Sequence, residues 1–311
     1  MIIICDDASF AQSMFEEVLT WNAIKTSALA RAINIPLDYM FSGNNIYQGN
    51  VENEQRWQYL LVVKFAHTSQ FEILCKLCRD NKLNVGNILC LAGSGRNFRG
   101  FKNRSWQSIP GNLHLSAYIA PHKAVAHFHV GFILMAVNAA VQTLNAIKGI
   151  ESSASIKWVN DILIEKRKVG GILVQTQAQG NMVIGAVLGI GINVEQTPAI
   201  VPDVFVPQVG CLWDFSQKRD PLMKVHILKG LLDNLYKNYQ KLLSGNYKDL
   251  FNFYNKHSSI LGKEVTLYSD PYKGSPRLML QGKVERIGMD LELYFKGIKD
   301  PVYSGRLAFT T

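Results

Sequence analysis

Lys157-Trp158-Val159-Asn160-Asp161, followed seven residues on by Lys168-Val169-Gly170-Gly171-Ile172-Leu173, decides how this chain is read. Two lysines, an Asn-Asp pair and a glycine pair share seventeen residues, flanked on both sides by strand-like apolar runs. Asn and Asp favour a tight turn, Lys166-Arg167 makes a hairpin tip, and paired glycines let a backbone approach a ligand. The combination suits a site that holds one anion close to another. Gly189-Ile190-Gly191-Ile192-Asn193-Val194 offers a second such approach after the next strand.

Outward from this centre the apolar runs 156–158, 162–164, 171–177 and 182–189 read as strands, with Gln179-Gly180-Asn181 as a turn. Upstream, 59–63 and 85–91 read as strands on either side of a helix over 71–78. Residues 113–119 alternate, with Leu113, Leu115, Ala117 and Ile119 on one face, as a half-buried strand does. Val125, Phe128, Phe132, Met135, Ala139 and Ile147 recur at helical spacing and predict a long helix packed on a sheet. Residues 221–255 read as one further helical stretch, with Leu222, Val225, Leu228, Leu231 and Leu235 as its face. After Gly262 the pattern changes to short strands over 264–268, 278–287, 291–295 and 302–309, punctuated by Pro271, Gly274, Pro276 and a Gly288-Met289-Asp290 turn. That pattern predicts a small separate β-barrel.

The bulk numbers exclude several classes. The chain has 311 residues, 48% hydrophobic and 18% charged, ordinary for a folded protein with one sizeable core and a satellite domain. No apolar run approaches the length of a membrane helix, and the opening Met1-Ile2-Ile3-Ile4-Cys5-Asp6-Asp7 is too short and too soon acidic for a targeting peptide. A cytoplasmic setting is expected, and an odd count of five cysteines agrees with a reducing one. Cys75-Lys76-Leu77-Cys78 has no second pair, so it reads as core filler on an amphipathic helix.

Charge is unevenly placed on this +9 chain. Between 81 and 150 there is no Asp or Glu, while seven cations fall there, four of them (Arg96, Arg99, Lys102 and Arg104) in one Gly-rich segment. That concentration predicts a local anion site more than a general basic surface. Phe98, Phe101 and Trp106 are interleaved with it, as on a single-stranded nucleic-acid platform. Residues 1–57 are the opposite, seven acids against three bases, with helices expected over 7–19 and 26–33 and a loop over 42–50.

In order and spacing these motifs resemble those of the biotin–protein ligases, the family of biotin–[acetyl-CoA-carboxylase] ligases and holocarboxylase synthetases, over roughly 200 residues. The resemblance implies an α+β fold: a mixed β-sheet with packed helices, the class II synthetase-like catalytic domain, plus a small C-terminal β-barrel. It divides the chain into an N-terminal extension of unknown role (1–57), a biotin- and ATP-binding catalytic domain (58–258) and the barrel (259–311). It also implies a reaction: biotin and ATP give biotinyl-5′-AMP, and biotin then passes to a lysine of a carboxylase's biotin carboxyl carrier domain. Pushing a carboxylate onto a polyphosphate needs fixed cations and N–H donors where charge builds.

By resemblance Lys168 meets the ligand carboxylate and the adenylate phosphate, and Lys157 faces the nucleotide phosphates. Asn160 and Asp161 shape the hairpin or help place Mg²⁺, with Asp161 as the metal ligand; Asn-Asp is also plain turn chemistry. The family usually has Pro where this chain has Val159. Gly170, Gly171 and Gly191 would let the backbone approach biotin, or serve packing alone. Asn193 would bind ATP. Anchoring the basic loop on Trp106 aligns Arg99-Gly100 and Arg104 with the family's arginine-rich loop, giving Arg99, Gly100, Arg104 and Trp106 to biotin and ATP. A second register starts instead at Gly93-Ser94-Gly95-Arg96. In either, four cations stay available to a triphosphate; in the first, preferred because residues 106–113 then follow the family without a gap, Gly95 replaces a family Gln that contacts the ureido ring. Thr68-Ser69-Gln70 matches the family's hydroxyl-hydroxyl-amide triplet for that ring, and could equally cap the helix that follows.

His127 and His129 lie two apart around a helix, so they are expected on different faces with no carboxylate nearby; with His114 and His122 they read as non-ligands. Thr26 to Arg31 faintly resembles the start of a helix-turn-helix, but a DNA-reading module should be basic, so DNA is not expected as a partner, nor is a membrane. Monomer and homodimer both remain open. Two other readings share the fold: a lipoate or octanoate ligase or transferase, and a non-catalytic biotin-binding descendant.

Overall fold

The computed structural model describes every residue except 27–35, 42, 44, 53–56, 84–85, 151–152, 272–273 and 311. The expected helix over 26–33 and most of the Thr26–Arg31 motif lie outside the described residues.

The backbone of the molecule is one mixed sheet. In chain order its strands are β1 (Ile2–Cys5), β2 (Asn22–Lys25), β3 (Asn45–Asn50), β4 (Tyr59–Ala66), β5 (Asn87–Gly95), β6 (Leu113–Ile119), β7 (Lys123–Ala124), β8 (Ser155–Lys157), β9 (Asp161–Ile164), β10 (Arg167–Gln179) and β11 (Met182–Ile192). They lie in the order β2-β3-β1-β4-β5-β6-β11-β10-β9-β8, with the short β7 pairing β11. β1 with β4 and β4 with β5 are parallel; the other pairs are antiparallel. The mixed sheet with helices on it is the fold the sequence predicts.

Residues 1–57 differ from their expectation. Composition sets them apart, yet they add three strands to the main sheet, and β1 lies hydrogen-bonded between β3 and β4. Their expected helix over 7–19 shrinks to α1 (Ala8–Gln12), capped by Asp7, whose carboxylate accepts from the Phe10 amide at 2.7 Å.

Period-two alternation sends the sheet's side chains into two cores. On one face Leu60, Val62, Leu89 and Leu91 pack with α3 (Phe128–Asn145), α4 (Met223–Leu243) and α5 (Tyr247–Lys256). On the other, Leu61, Val63, Ile88 and Cys90 pack with α2 (Gln70–Arg79), where Cys75 and Cys78 fill core space. Burial pushes the Cys75 thiol up to about 12, so it is inert. β6 is buried along its whole length and not on one face alone: His114, Ser116 and Tyr118 are covered as well. α3 is, by length and composition, apolar enough to cross a membrane, and here it is a core helix.

The stretch read as one helix over 221–255 is two. Gly245, at φ +80°, ends α4 with the paired bonds Asn246 N–H to Lys241 C=O and Gly245 N–H to Leu242 C=O, a conformation that favours glycine.

The C-terminal strands β12 (Glu264–Tyr268), β13 (Leu278–Ile287), β14 (Leu293–Phe295) and β15 (Arg306–Phe309) form a four-stranded antiparallel sheet, ordered β14-β13-β12-β15, with a further bridge between Leu293 of β14 and Val302. Val265, Leu267, Val284 and Phe295 join the same core as α3–α5. The Trp158 indole donates to the Leu291 carbonyl at 2.7 Å, and Tyr247 donates to that of Met289. His127 and His129 both reach one carboxylate oxygen of Asp290, at 2.7 and 3.1 Å. That corrects the expectation of divergent faces: His127 caps α3 at φ +50°, off the helical path, and the carboxylate is distant in sequence.

Candidate active site

The β8–β9 turn is tied down by three hydrogen bonds. Asn160 donates to the Ile172 carbonyl, the Ile172 amide returns to Asn160 at 3.0 Å, and Tyr254 donates to the Val159 carbonyl at 3.0 Å. These bonds hold Lys157, at the end of β8, and Asp161, at the start of β9, on the wall of a cavity of about 610 Å³.

Lys168 joins them across the hairpin, its ammonium 2.6 Å from the Asp161 carboxylate and 5.9 Å from the Trp106 ring centre. A bulge in the β9–β10 pairing falls between Lys168 and Gly170, and the Lys168 backbone is held by Gln208 and Gly210. Lys157 is nearly fully buried, and its ammonium donates to the Phe205 carbonyl rather than to a carboxylate. Burial pulls its pKa down to about 8, with nearby Asp161 opposing the fall. A buried cation held this way is a ready partner for an anion entering the cavity.

The glycines divide. A Cβ on Gly191 would sit 2.3 Å from the Trp106 ring, so glycine is needed there because the indole lies on the strand. Gly191 is also inside β11, not beyond it. A Cβ on Gly170 would meet the Gly191 carbonyl at 2.8 Å, so that position serves strand packing. Gly171 faces the cavity with ordinary space, its nearest neighbours 3.7 Å away at Asp161, Lys168 and Trp106, as does Gly100 at 3.6 Å from the Arg104 carbonyl. Trp106 is positioned by His114, whose Nδ1 accepts from the indole N–H at 3.4 Å while its Nε2 faces the Ile109 carbonyl. Burial lowers the His114 pKa to about 4, so it stays neutral and can accept. Asn193, at the cavity floor, donates to the Gly210 carbonyl at 3.0 Å.

The loop between β5 and β6 folds on itself: Arg99 bridges Ser105, and the Gly100 amide donates to Arg104 at 2.6 Å. Its cations do not all stay available, as the sequence implied. Arg96 lies over the Phe65 ring, whereas Arg99 lines the cavity. Arg104 pairs with Asp270 at 3.0 Å and Lys102 with the same carboxylate at 3.6 Å. Asp270 comes from the C-terminal sheet domain, which is why no local motif announced it. The same domain supplies Arg306, paired with Asp203 at 3.3 Å and stacked over Phe205. Asp203 and Phe205 belong to a connection the sequence left unassigned.

Of the Thr68-Ser69-Gln70 triplet only Ser69 lines the cavity, and its side chain makes no cap bond to α2. Thr68 is exposed. Gln70 is buried with its amide unpartnered among the described residues, and it does not line the cavity.

A cavity lined by Lys157, Lys168 and an arginine-bearing loop has the charge to suit an anionic ligand. Residues 87–193, which carry Arg99, Trp106, Lys157 and Lys168, match the model of the Biotin/lipoate A/B protein ligase family. The bifunctional ligase/repressor BirA of Bacillus subtilis is 40% identical over 106 residues, 34% of this chain and 32% of the Bacillus protein. A biotin–[acetyl-CoA-carboxylase] ligase of Paracoccus denitrificans is 32% identical over 101 residues, 32% of this chain and 41% of that protein. The match thus spans well under half of these curated relatives. In fold, a biotin protein ligase from Aquifex aeolicus, solved with biotin and ATP, superposes with a TM-score of 0.61 at 21% identity, over 82% of this chain and 99% of that one. A biotin protein ligase-like protein of unknown function from Silicibacter gives 0.53 at 10% identity, over 77% of this chain and 92% of that one.

Proposed function

We propose that this chain is an ATP-dependent biotin–protein ligase, which joins biotin to AMP and then delivers it to a lysine on the biotin carboxyl carrier domain of a carboxylase. The observation that carries the reading is the convergence of Lys168, Lys157 and Arg99 on one cavity, within the segment 87–193 that matches the Biotin/lipoate A/B protein ligase family.

In the first step a carboxylate oxygen of biotin attacks the α-phosphorus of ATP and pyrophosphate leaves. Lys168 and Lys157 supply fixed positive charge where that carboxylate and phosphate approach each other, and Arg99 adds charge from the loop. The hairpin's own hydrogen bonds have already ordered the two lysines, so little reorganisation is left to the reaction. In the second step the acceptor lysine's amine attacks the acyl carbon and AMP leaves. Trp106 and the C-terminal domain exclude water that would otherwise hydrolyse the mixed anhydride. Mg²⁺ fits this donor set in the way it usually accompanies nucleotides, through one carboxylate and the phosphates. Asp161 on the cavity wall would hold it, and the ion would neutralise phosphate charge.

ATP–pyrophosphate exchange with biotin, lipoate, octanoate or no acid tests the reading. Exchange dependent on biotin alone supports it. Exchange with lipoate or octanoate moves the assignment to the sister activities, and silence with all three, from protein that binds biotin, refutes catalysis.

A further inference from the structure

The basic loop and the C-terminal domain meet through one carboxylate. Asp270 follows β12, its side chain is only 7% exposed, and both Lys102 and Arg104 converge on it. Lys102 also donates to the Asp270 backbone carbonyl, and Arg306 lies close enough to feel the same charge. All four residues line the cavity. An acidic group held by two or three cations at the mouth of an anion site occupies the place of a ligand phosphate. Of the other cations of the site, Lys157 donates to the Phe205 carbonyl and Lys168 pairs with Asp161, neither of which belongs to the C-terminal domain.

We propose that Asp270 is an internal anion that keeps the loop latched to the C-terminal domain until a polyphosphate takes its place on Lys102 and Arg104. The inference rests on the reading of the cavity as a polyphosphate site, and it adds an order of events: binding exchanges a carboxylate for a phosphate. The loop then passes from the C-terminal domain to the ligand, which frees Asp270 and the end of β12 as the loop itself becomes more ordered. Charge-assisted contacts of this sort are strong and directional, so the exchange is close to balanced and responsive to ligand concentration.

Inorganic tripolyphosphate is the probe, because biotin, acceptor and turnover all stay out of the measurement. Hydrogen–deuterium exchange on the wild-type protein should respond with opposite signs: faster at 264–270 and slower at 99–106 once tripolyphosphate is saturating. Asp270→Asn, which keeps shape and removes charge, should bind tripolyphosphate roughly three- to tenfold more tightly by calorimetry. Wild-type binding that leaves exchange at 264–270 unchanged or slower overturns the latch, as does an Asp270→Asn affinity equal to or weaker than wild type. If neither protein binds tripolyphosphate, the polyphosphate reading of the cavity falls with it. The wild-type arm stands even where the variant fails to fold.

Discussion

The two halves of the cation wall are built in opposite ways. Lys157 and Lys168 sit on strands whose turn is stitched to β10 and to α5, with the Trp158 indole anchored on the Leu291 carbonyl. Lys102 and Arg104 sit on a loop whose tertiary partner is a carboxylate from another sheet. One half is fixed by the fold before any ligand arrives; the other is held by a contact that a ligand can replace. Charge alone does not distinguish them, since all four are cations of one cavity. Their backbones do, and under the proposed reaction that division suits a site that holds an intermediate tightly and still exchanges substrates.

The sharpest way to break the comparison is to remove the central lysine of the fixed half. Lys168→Ala should lower biotin-dependent pyrophosphate exchange about 100- to 1000-fold, the range seen when one preorganised charge-stabilising group is lost. Arg99→Gln, on the loop, should cost about tenfold or less and show mainly in KM for ATP. Equal losses in the two variants would erase the distinction.

The seam between the halves is Trp106, held by His114, and it responds to acid. The unfolded chain takes up a proton on this histidine near the ordinary value of 6.5, whereas the folded protein does so only near 4. Between those values the unfolded state binds more protons, so stability is full above 6.5 and falls as pH drops toward 4. Urea unfolding should give a stability about 2 kcal/mol lower at pH 5 than at pH 7.5 from this group. His114→Gln should flatten that dependence, and a slope unchanged in the variant assigns the acid sensitivity elsewhere.

Gly191→Ala comes next, expected to cost about 1–3 kcal/mol and to shift tryptophan emission, because the new methyl meets the Trp106 ring. Gly171→Ala is the smallest change. With 3.7 Å to its neighbours it should leave stability within about 0.5 kcal/mol, and melting temperatures of the two variants side by side settle the ranking.

Much of the fixed half was legible in the sequence. Lys157, Asn160, Asp161 and Lys168 lie within twelve residues, and strand alternation with turn chemistry is enough to bring them to one hairpin. Gly191 was singled out, but the reason lay across the sheet in Trp106, where no local pattern could show it. The loop was legible as charge and not as structure: Asp270 sits 166 residues from Arg104, and only folding pairs them. The same holds for His127, His129 and Asp290. The N-terminal strands were missed because Ile2-Ile3-Ile4-Cys5 is too short a run to identify as a strand without the partners β3 and β4.

The placement of β1 bears on how the protein can be handled. With the first strand seated between β3 and β4, cutting the chain at residue 57 would not release a smaller catalytic unit. It would bare the edge of β4 that β1 covers at Tyr59–Val62, an apolar stretch whose amides and carbonyls on that side would lose their partners. Such a rim recruits any extended chain it meets. The expected product of that trimming is insoluble protein, however intact the cavity some strands away.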